Sequence, residues 1–222
     1  MRAVLTALLT TAALLAAAAA PGAAHAQERV PVLFVHGYGG SAGNWDDLAA
    51  DLVADGWPEA DLHAIDYDST ASNTETAEVI AAEVDAVLAE SGADRVDIVA
   101  HSMGGLSSRW YLKFLGGHER VDDWVSLAGP NQGSTVRLPC VAVQPSCQEV
   151  VAGSEFLARL NSGDPTPGAV GYTTFRSLCD LIVRPSTNVM LTGADNRYAG
   201  CVGHTAFLTD PGVSAQVRAV LA

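Results

Sequence analysis

Ser102 stands between Ala100-His101 and Met103-Gly104-Gly105, small flanking residues that would let a sharp turn hold its hydroxyl clear of the backbone as a nucleophile. A serine hydroxyl attacks poorly at neutral pH. It needs a base to take its proton, and the base needs a partner to fix its tautomer and stabilise its cation. Downstream of Ser102 the chain has two histidines, His118 and His204. His204, in Gly203-His204-Thr205 after the last strand-like fragment, falls on the same sheet edge as the serine and is the expected base. His118 lies just past the helix that follows the serine, on the far edge, and reads as a solvated loop residue. Between Ser102 and His204 lie Asp122, Asp123, Asp164, Asp180 and Asp195. Asp180 directly follows the Gly171 to Arg176 strand pattern, which puts it at the catalytic edge in the order serine, acid, histidine. Asp122 and Asp123 precede a strand and fall at the wrong edge, Asp164 sits in a proline-punctuated stretch, and Asp195 comes before a weak strand.

Acyl chemistry on a serine also calls for two amides aimed at the developing oxyanion. Met103 offers the first by following the nucleophile, and Tyr38, in the turn His36-Gly37-Tyr38-Gly39, is the expected second. The same glycines could cradle a phosphate, but no Gly-Lys-Ser or Gly-Lys-Thr follows them. His36 and His101 read as packing residues beside the site, and His63 as structural.

These groups need elements to hold them. Val30 to His36 is a continuous apolar run, as a strand buried on both faces must be. After its glycine turn, Trp45, Leu48, Ala49, Leu52 and Val53 recur at helical spacing up to Gly56. Leu62 to Tyr67 reads as the next strand. Ser72 with Glu75 forms a capping-box signature before a helix carrying Ala77, Ile80, Ala81, Val84 and Leu88, ended by Gly92. Arg95 to Ala100 is the strand before the serine, Met103 to Leu115 the helix after it, and Asp123 to Leu127 a further strand. This alternation calls for an α/β fold with a parallel sheet covered on both faces. From Gly129 to Val170 the pattern weakens among prolines, and only Glu149 to Leu160 reads as helical. Gly171 to Arg176 resumes as a strand, Val189 to Leu191 and Asn196 to Gly200 are weaker fragments, and Asp210-Pro211 opens a closing helix.

Residues 1–26 combine Arg2, an alanine-rich apolar run and Ala24-His25-Ala26, the pattern of a secretory signal peptide rather than an anchor. One catalytic domain is expected over 27–222. The formal charge is −13, and Arg2 is the only charged residue in the leader, so the remainder is slightly more acidic. Such a chain is repelled by nucleic acid and anionic membranes. Four cysteines in an exported chain suggest disulfides. Three pairings are open; joining Cys179 to Cys201 would tie the acid loop to the base loop and leave Cys140 with Cys147. None makes a Cys-x-x-Cys pair and no histidine clusters with them, so no metal site is expected.

The chain resembles the small secreted bacterial lipases of the α/β-hydrolase superfamily, the lidless Bacillus-type group and its actinomycete relatives. The likeness rests on Val32-Leu33-Phe34-Val35-His36-Gly37-Tyr38-Gly39-Gly40, on Gly56-Trp57 before Leu62 to Asp66, and on Val96 to Gly105, where alanine replaces the first glycine of Gly-x-Ser-x-Gly. The resemblance implies a minimal α/β-hydrolase sheet, with Ser102 as nucleophile, Asp180 as acid, His204 as base, and Tyr38 and Met103 as amide donors. It implies a cofactor-free, monomeric, secreted carboxylester hydrolase acting on acyl esters or lipids. An acyltransferase with the same serine is the neighbouring expectation, and a catalytically silent binding protein the one from another class. The four cysteines and the extra sequence between Gly129 and Val170 depart from the Bacillus-type pattern and bear on whether the site is open.

Overall fold

The computed structural model describes residues 29–222; the expected signal peptide lies outside them. Six strands form one sheet: β1 Val32–Val35, β2 Leu62–Ala64, β3 Val96–His101, β4 Val121–Leu127, β5 Gly171–Arg176 and β6 Asp195–Tyr198, in the spatial order β2-β1-β3-β4-β5-β6. Every pairing is parallel. The helices are α1 Asp46–Ala54, α2 Asn73–Ser91, α3 Gly104–Phe114, α4 Pro145–Glu149, α5 Glu155–Leu160 and α6 Pro211–Leu221. The polypeptide has the α/β-hydrolase fold.

The unbroken apolar runs divide by pleat. Leu33, Val35, Ile98, Ala100 and Trp124 point to one face, where they meet Ile80 and Val84 of α2 and Leu106 of α3. Val32, Phe34, Val99, Val125 and Phe175 point to the other, against Leu48 and Leu52 of α1 and Val213 and Val217 of α6. With both faces covered, most positions in the central strands are apolar, which removes the alternation a half-exposed strand would show. Val35 pairs with Ala100 in register, and this brings the carboxyl ends of β1 and β3 together.

Four local expectations need correction. Ser72 does cap α2, accepting from the Thr74 amide, but the carboxylate that joins it is that of Glu149, which accepts from the Ser72 hydroxyl at 2.6 Å and the Asn73 amide at 2.7 Å. Glu75 is exposed. Of the helix expected over Glu149 to Leu160 only Glu155–Leu160 is helical, and a short helix not expected from the sequence, Pro145–Glu149, ends where it was to begin. Between them Val151 bridges Ser134, Gly153 takes φ +85°, and the Ser154 hydroxyl accepts from the Leu157 amide to start α5. Val189 to Leu191 is not a strand: the Asn196 side chain accepts from the Leu191 amide and donates to its carbonyl, so neither group is free for a ladder. His118 is half-buried with its Nδ1 at 3.0 Å from the Leu112 carbonyl, closing the end of α3.

The Gly129 to Val170 segment is held to α3 by a buried arginine. Arg109 is 1 % exposed, and its guanidinium donates to the side-chain oxygens of Asn131 and Asn161. Phe156 of α5 stacks on Trp110 at 5.1 Å, with Arg159 over the same ring.

At the edge of the sheet opposite the serine, Asp97 is buried beside Asp122 and Asp123. Burial pushes its carboxyl up to about 8, with repulsion from Asp123 and Asp122 adding to the amide-bonded balance. The folded chain thus holds a proton here that the unfolded chain releases near pH 4, so this group's contribution is full below that pH and is lost as pH rises through 8. Asp97→Asn keeps an oxygen for the Asp123 amide and removes the buried charge. The expected result is a higher thermal midpoint at pH 8 than the parent and little difference at pH 4, read by thermal denaturation across that range.

Candidate active site

Ser102 follows β3 with φ 52°, a left-handed conformation that non-glycine residues seldom take and that marks a strained turn. The turn closes with the Gly105 amide donating to the Ser102 carbonyl at 3.0 Å, and the Ser102 amide donates to Leu127 at 2.8 Å. A Cβ on Gly104 would lie 2.4 Å from the His36 carbonyl oxygen and 2.6 Å from that of Val35, and one on Gly37 would lie 2.8 Å from the Ser102 Cβ. The small residues of the motif are therefore required by the approach of the β1 turn to the start of α3.

The Ser102 Oγ lies 2.8 Å from His204 Nε2, and His204 Nδ1 lies 2.8 Å from Asp180 Oδ2. Asp180 is 1 % exposed, and its other oxygen accepts from the amides of Ile182 and Val183 at 2.8 and 3.0 Å. Burial works against ionising this carboxyl, but the His204 hydrogen bond and charge with the two amides outweigh it and hold it below the usual carboxylate range. A chain of this kind can take a proton from the serine at Nε2 and stabilise the resulting imidazolium at Nδ1.

The other candidates lie elsewhere. Asp195 is exposed and paired with Arg197 at 2.7 Å. Asp164 is exposed and accepts from the Thr166 amide. Asp122 and Asp123 sit at the amino end of β4.

Cys179 is bonded to Cys201, with Cα atoms 5.0 Å apart, and Cys140 to Cys147, at 5.8 Å. The first bond joins the loop carrying Asp180 to the loop carrying His204. Sequence reasoning missed a second tie: the Ser177 hydroxyl accepts from the amides of Cys179 and Val202 at 3.0 and 2.9 Å. It also read His101 as packing alone. His101 Nε2 lies 2.9 Å from the His204 carbonyl oxygen, and burial, with the neighbouring His204 charge, pushes His101 down to about 3. A neutral His101 donates its Nε2 proton to that carbonyl and fixes the backbone of the proposed base. Its position directly before Ser102 was the available signal. His36 stacks on Tyr67 at 4.0 Å with its Nδ1 at 2.7 Å from the Gly37 carbonyl, and His63 lies in β2 at the sheet edge.

Ser102 and His204 open into a cavity of about 660 Å³ whose wall includes Tyr38, Asp46, Asp47 and Leu208. Among the described residues none between Gly129 and Val170 lines it, and neither does any lysine or arginine. Among the described residues the amides of Tyr38 and Met103 have no protein acceptor.

A family model described as "Lipase (class 2)" matches residues 29–197. A triacylglycerol lipase of Burkholderia plantarii is 34 % identical over 136 residues, which is 57 % of this chain and 37 % of the relative. A triacylglycerol lipase of Vibrio cholerae is 29 % identical over 118 residues, 50 % of this chain and 36 % of the relative. The matched region thus spans little more than a third of the length of these curated relatives. Among solved structures, Bacillus licheniformis lipase BlEst2 in its mature form has a TM-score of 0.75 at 17 % identity, covering 87 % of this chain and 92 % of that one. Aspergillus fumigatus lipase B has a TM-score of 0.74 at 23 % identity, covering 86 % and 52 %.

Proposed function

This chain belongs to the class 2 lipase family, and from that membership we propose that it is a secreted serine hydrolase of acyl esters. The observation that carries the reading is the unbroken run of contacts from Ser102 Oγ through His204 to Asp180. Ser102 Oγ attacks the acyl carbon while its proton passes to His204 Nε2. The Tyr38 and Met103 amides receive the oxyanion. Collapse breaks the ester bond, the alcohol leaves with the proton from His204, and the acyl group stays on Ser102. Water, deprotonated by His204, then releases the acid and restores the serine. The proton that leaves with the alcohol is replaced on Ser102 by one from water, so the enzyme ends the cycle as it began it and the cycle uses no cofactor.

Neutral esters suit a cavity wall that carries carboxylates and no lysine or arginine. Export fits the two disulfides, since such bonds persist in oxidising compartments, and fits the reading of residues 1–26 as a signal peptide.

The site should work on dissolved esters. The resemblance would place a mobile lid in the Gly129 to Val170 segment, but α5 is spent on α3 through Phe156 and Arg159. Arg109 pins Asn131 and Asn161. The expected result is a smooth, saturating rate curve for a sparingly soluble short-chain ester carried across its solubility limit. A steep rise at the limit would reveal a cover that opens at an interface. Absence of hydrolysis across a series of ester chain lengths, with acyl transfer to an added alcohol instead, would replace hydrolase by acyltransferase.

A further inference from the structure

Helix α4, which holds Cys147 of the Cys140 to Cys147 disulfide, takes no part in the cavity wall, yet it reaches the active-site edge through Ser146 and Glu149. Glu149 is half-buried. One carboxylate oxygen accepts from the Ser72 hydroxyl at 2.6 Å, and the other from the Asn73 amide and side-chain nitrogen, both at 2.7 Å. Ser146 donates its hydroxyl proton to the Ser69 carbonyl at 2.8 Å. The stretch between Asp66 and Asn73 is thus clamped from outside at its centre and its end.

Its inner side holds the turn that carries Tyr38. The Ser69 hydroxyl accepts from the Gly39 amide at 2.9 Å, Asp66 accepts from the Ala42 amide at 2.8 Å, and the Tyr67 hydroxyl donates to the His36 carbonyl. Asn73 also accepts from the Ser107 hydroxyl of α3 at 2.7 Å, so the clamp touches the helix that starts behind Ser102. None of this is needed to cap α2, for which a local Glu75 was at hand. A carboxylate from 76 residues away fixes α2, α3 and the Tyr38 turn relative to one another.

We propose that Glu149 is a positioning residue for the oxyanion donors, with Ser69 and Ser146 relaying its hold to the Tyr38 turn. The inference rests on the reading of Tyr38 and Met103 as those donors. An oxyanion amide works only at hydrogen-bond distance from where the charge develops, and small displacements of the donor act on turnover rather than on ground-state binding.

The test measures kcat and KM on a soluble ester, with inhibition by a trifluoromethyl ketone, which adds Ser102 as a hemiketal whose oxyanion occupies the amides. Glu149→Ala should lower kcat about ten-fold at unchanged KM, with ketone affinity falling in proportion. Glu149→Gln, which keeps one acceptor, should fall between it and the parent. Ser69→Ala, which removes the acceptor of the Gly39 amide and leaves α2 capped, should reproduce the loss and serves if Glu149→Ala does not fold. The acid limb of the kcat profile should stay in place in all three, because the His204 to Asp180 contact is untouched. Unchanged kcat and ketone affinity in Ser69→Ala and Glu149→Gln, whatever happens to the thermal midpoint, would overturn the proposal, as would a rise in KM alone. A parent enzyme that the ketone does not inhibit would instead overturn the oxyanion reading on which it rests.

Discussion

Ser102→Ala is expected to lose ester hydrolysis by about 10⁶-fold in kcat, the scale on which triad nucleophiles act, while the fold stays intact. The hydroxyl is the group that would form the acyl bond, and among the described residues its hydrogen-bond partner is His204 Nε2. Removing it deletes a single, partly buried hydrogen bond, worth about 1 kcal/mol, which at this chain length corresponds to a thermal shift of only about 2 to 4 °C. Alanine can take the turn. The strained φ of 52° at Ser102 is matched by Ala128, in the turn after β4, which holds φ 52° with no polar side chain at all. Circular dichroism and thermal denaturation should therefore show a native protein, and a titration with a serine-directed phosphonate should label the parent stoichiometrically and the variant not at all. A variant that keeps substantial turnover would remove Ser102 from the mechanism.

The parts of this arrangement that could be read from the chain are those governed by contacts near in sequence. The β1 and β3 runs are apolar because both faces of the sheet are covered, and the glycines at 37 and 104 follow from backbone atoms that pass within van der Waals range of each other. Strand-end position pointed to Asp180 over four other aspartates, because in a parallel sheet the end of a strand decides which edge a residue occupies, and Asp180 is the one of the five that lies against His204. What stayed hidden depends on side-chain partners that hydrophobic periodicity does not report, most of them far along the chain. Glu149 displaces Glu75 at the start of α2 because tertiary packing delivers a better-placed carboxylate, and no local pattern announces that. Asn196 holds Leu191 out of the sheet with two side-chain hydrogen bonds, which hydrophobic periodicity does not register. Arg109 is buried with its guanidinium on the side-chain oxygens of Asn131 and Asn161, and the region supplying those residues had no readable pattern. His101 was legible in position but not in role, since its ring nitrogen reaches the carbonyl of a residue 103 positions later.

The second large effect is expected at Asp180, and the geometry gives its sign in detail. One carboxylate oxygen accepts from the Ile182 and Val183 amides and the other from His204 Nδ1. In Asp180→Asn the two amides still require an acceptor, so the new side-chain oxygen stays with them and the amide nitrogen turns toward His204. That nitrogen is a donor. It forces Nδ1 to accept and moves the imidazole proton to Nε2, where it faces the Ser102 hydroxyl and cannot take its proton. Turnover should fall about 10⁴-fold with the fold retained, because every buried polar group in the loop keeps a partner and the Cys179 to Cys201 bond still anchors it. Asp195→Asn removes only an exposed pair with Arg197, a contact of little energetic weight, and should leave turnover near the parent value. Steady-state kinetics on both variants decide the matter: a greater loss at Asp195 than at Asp180 would show that the acid has been assigned to the wrong strand end.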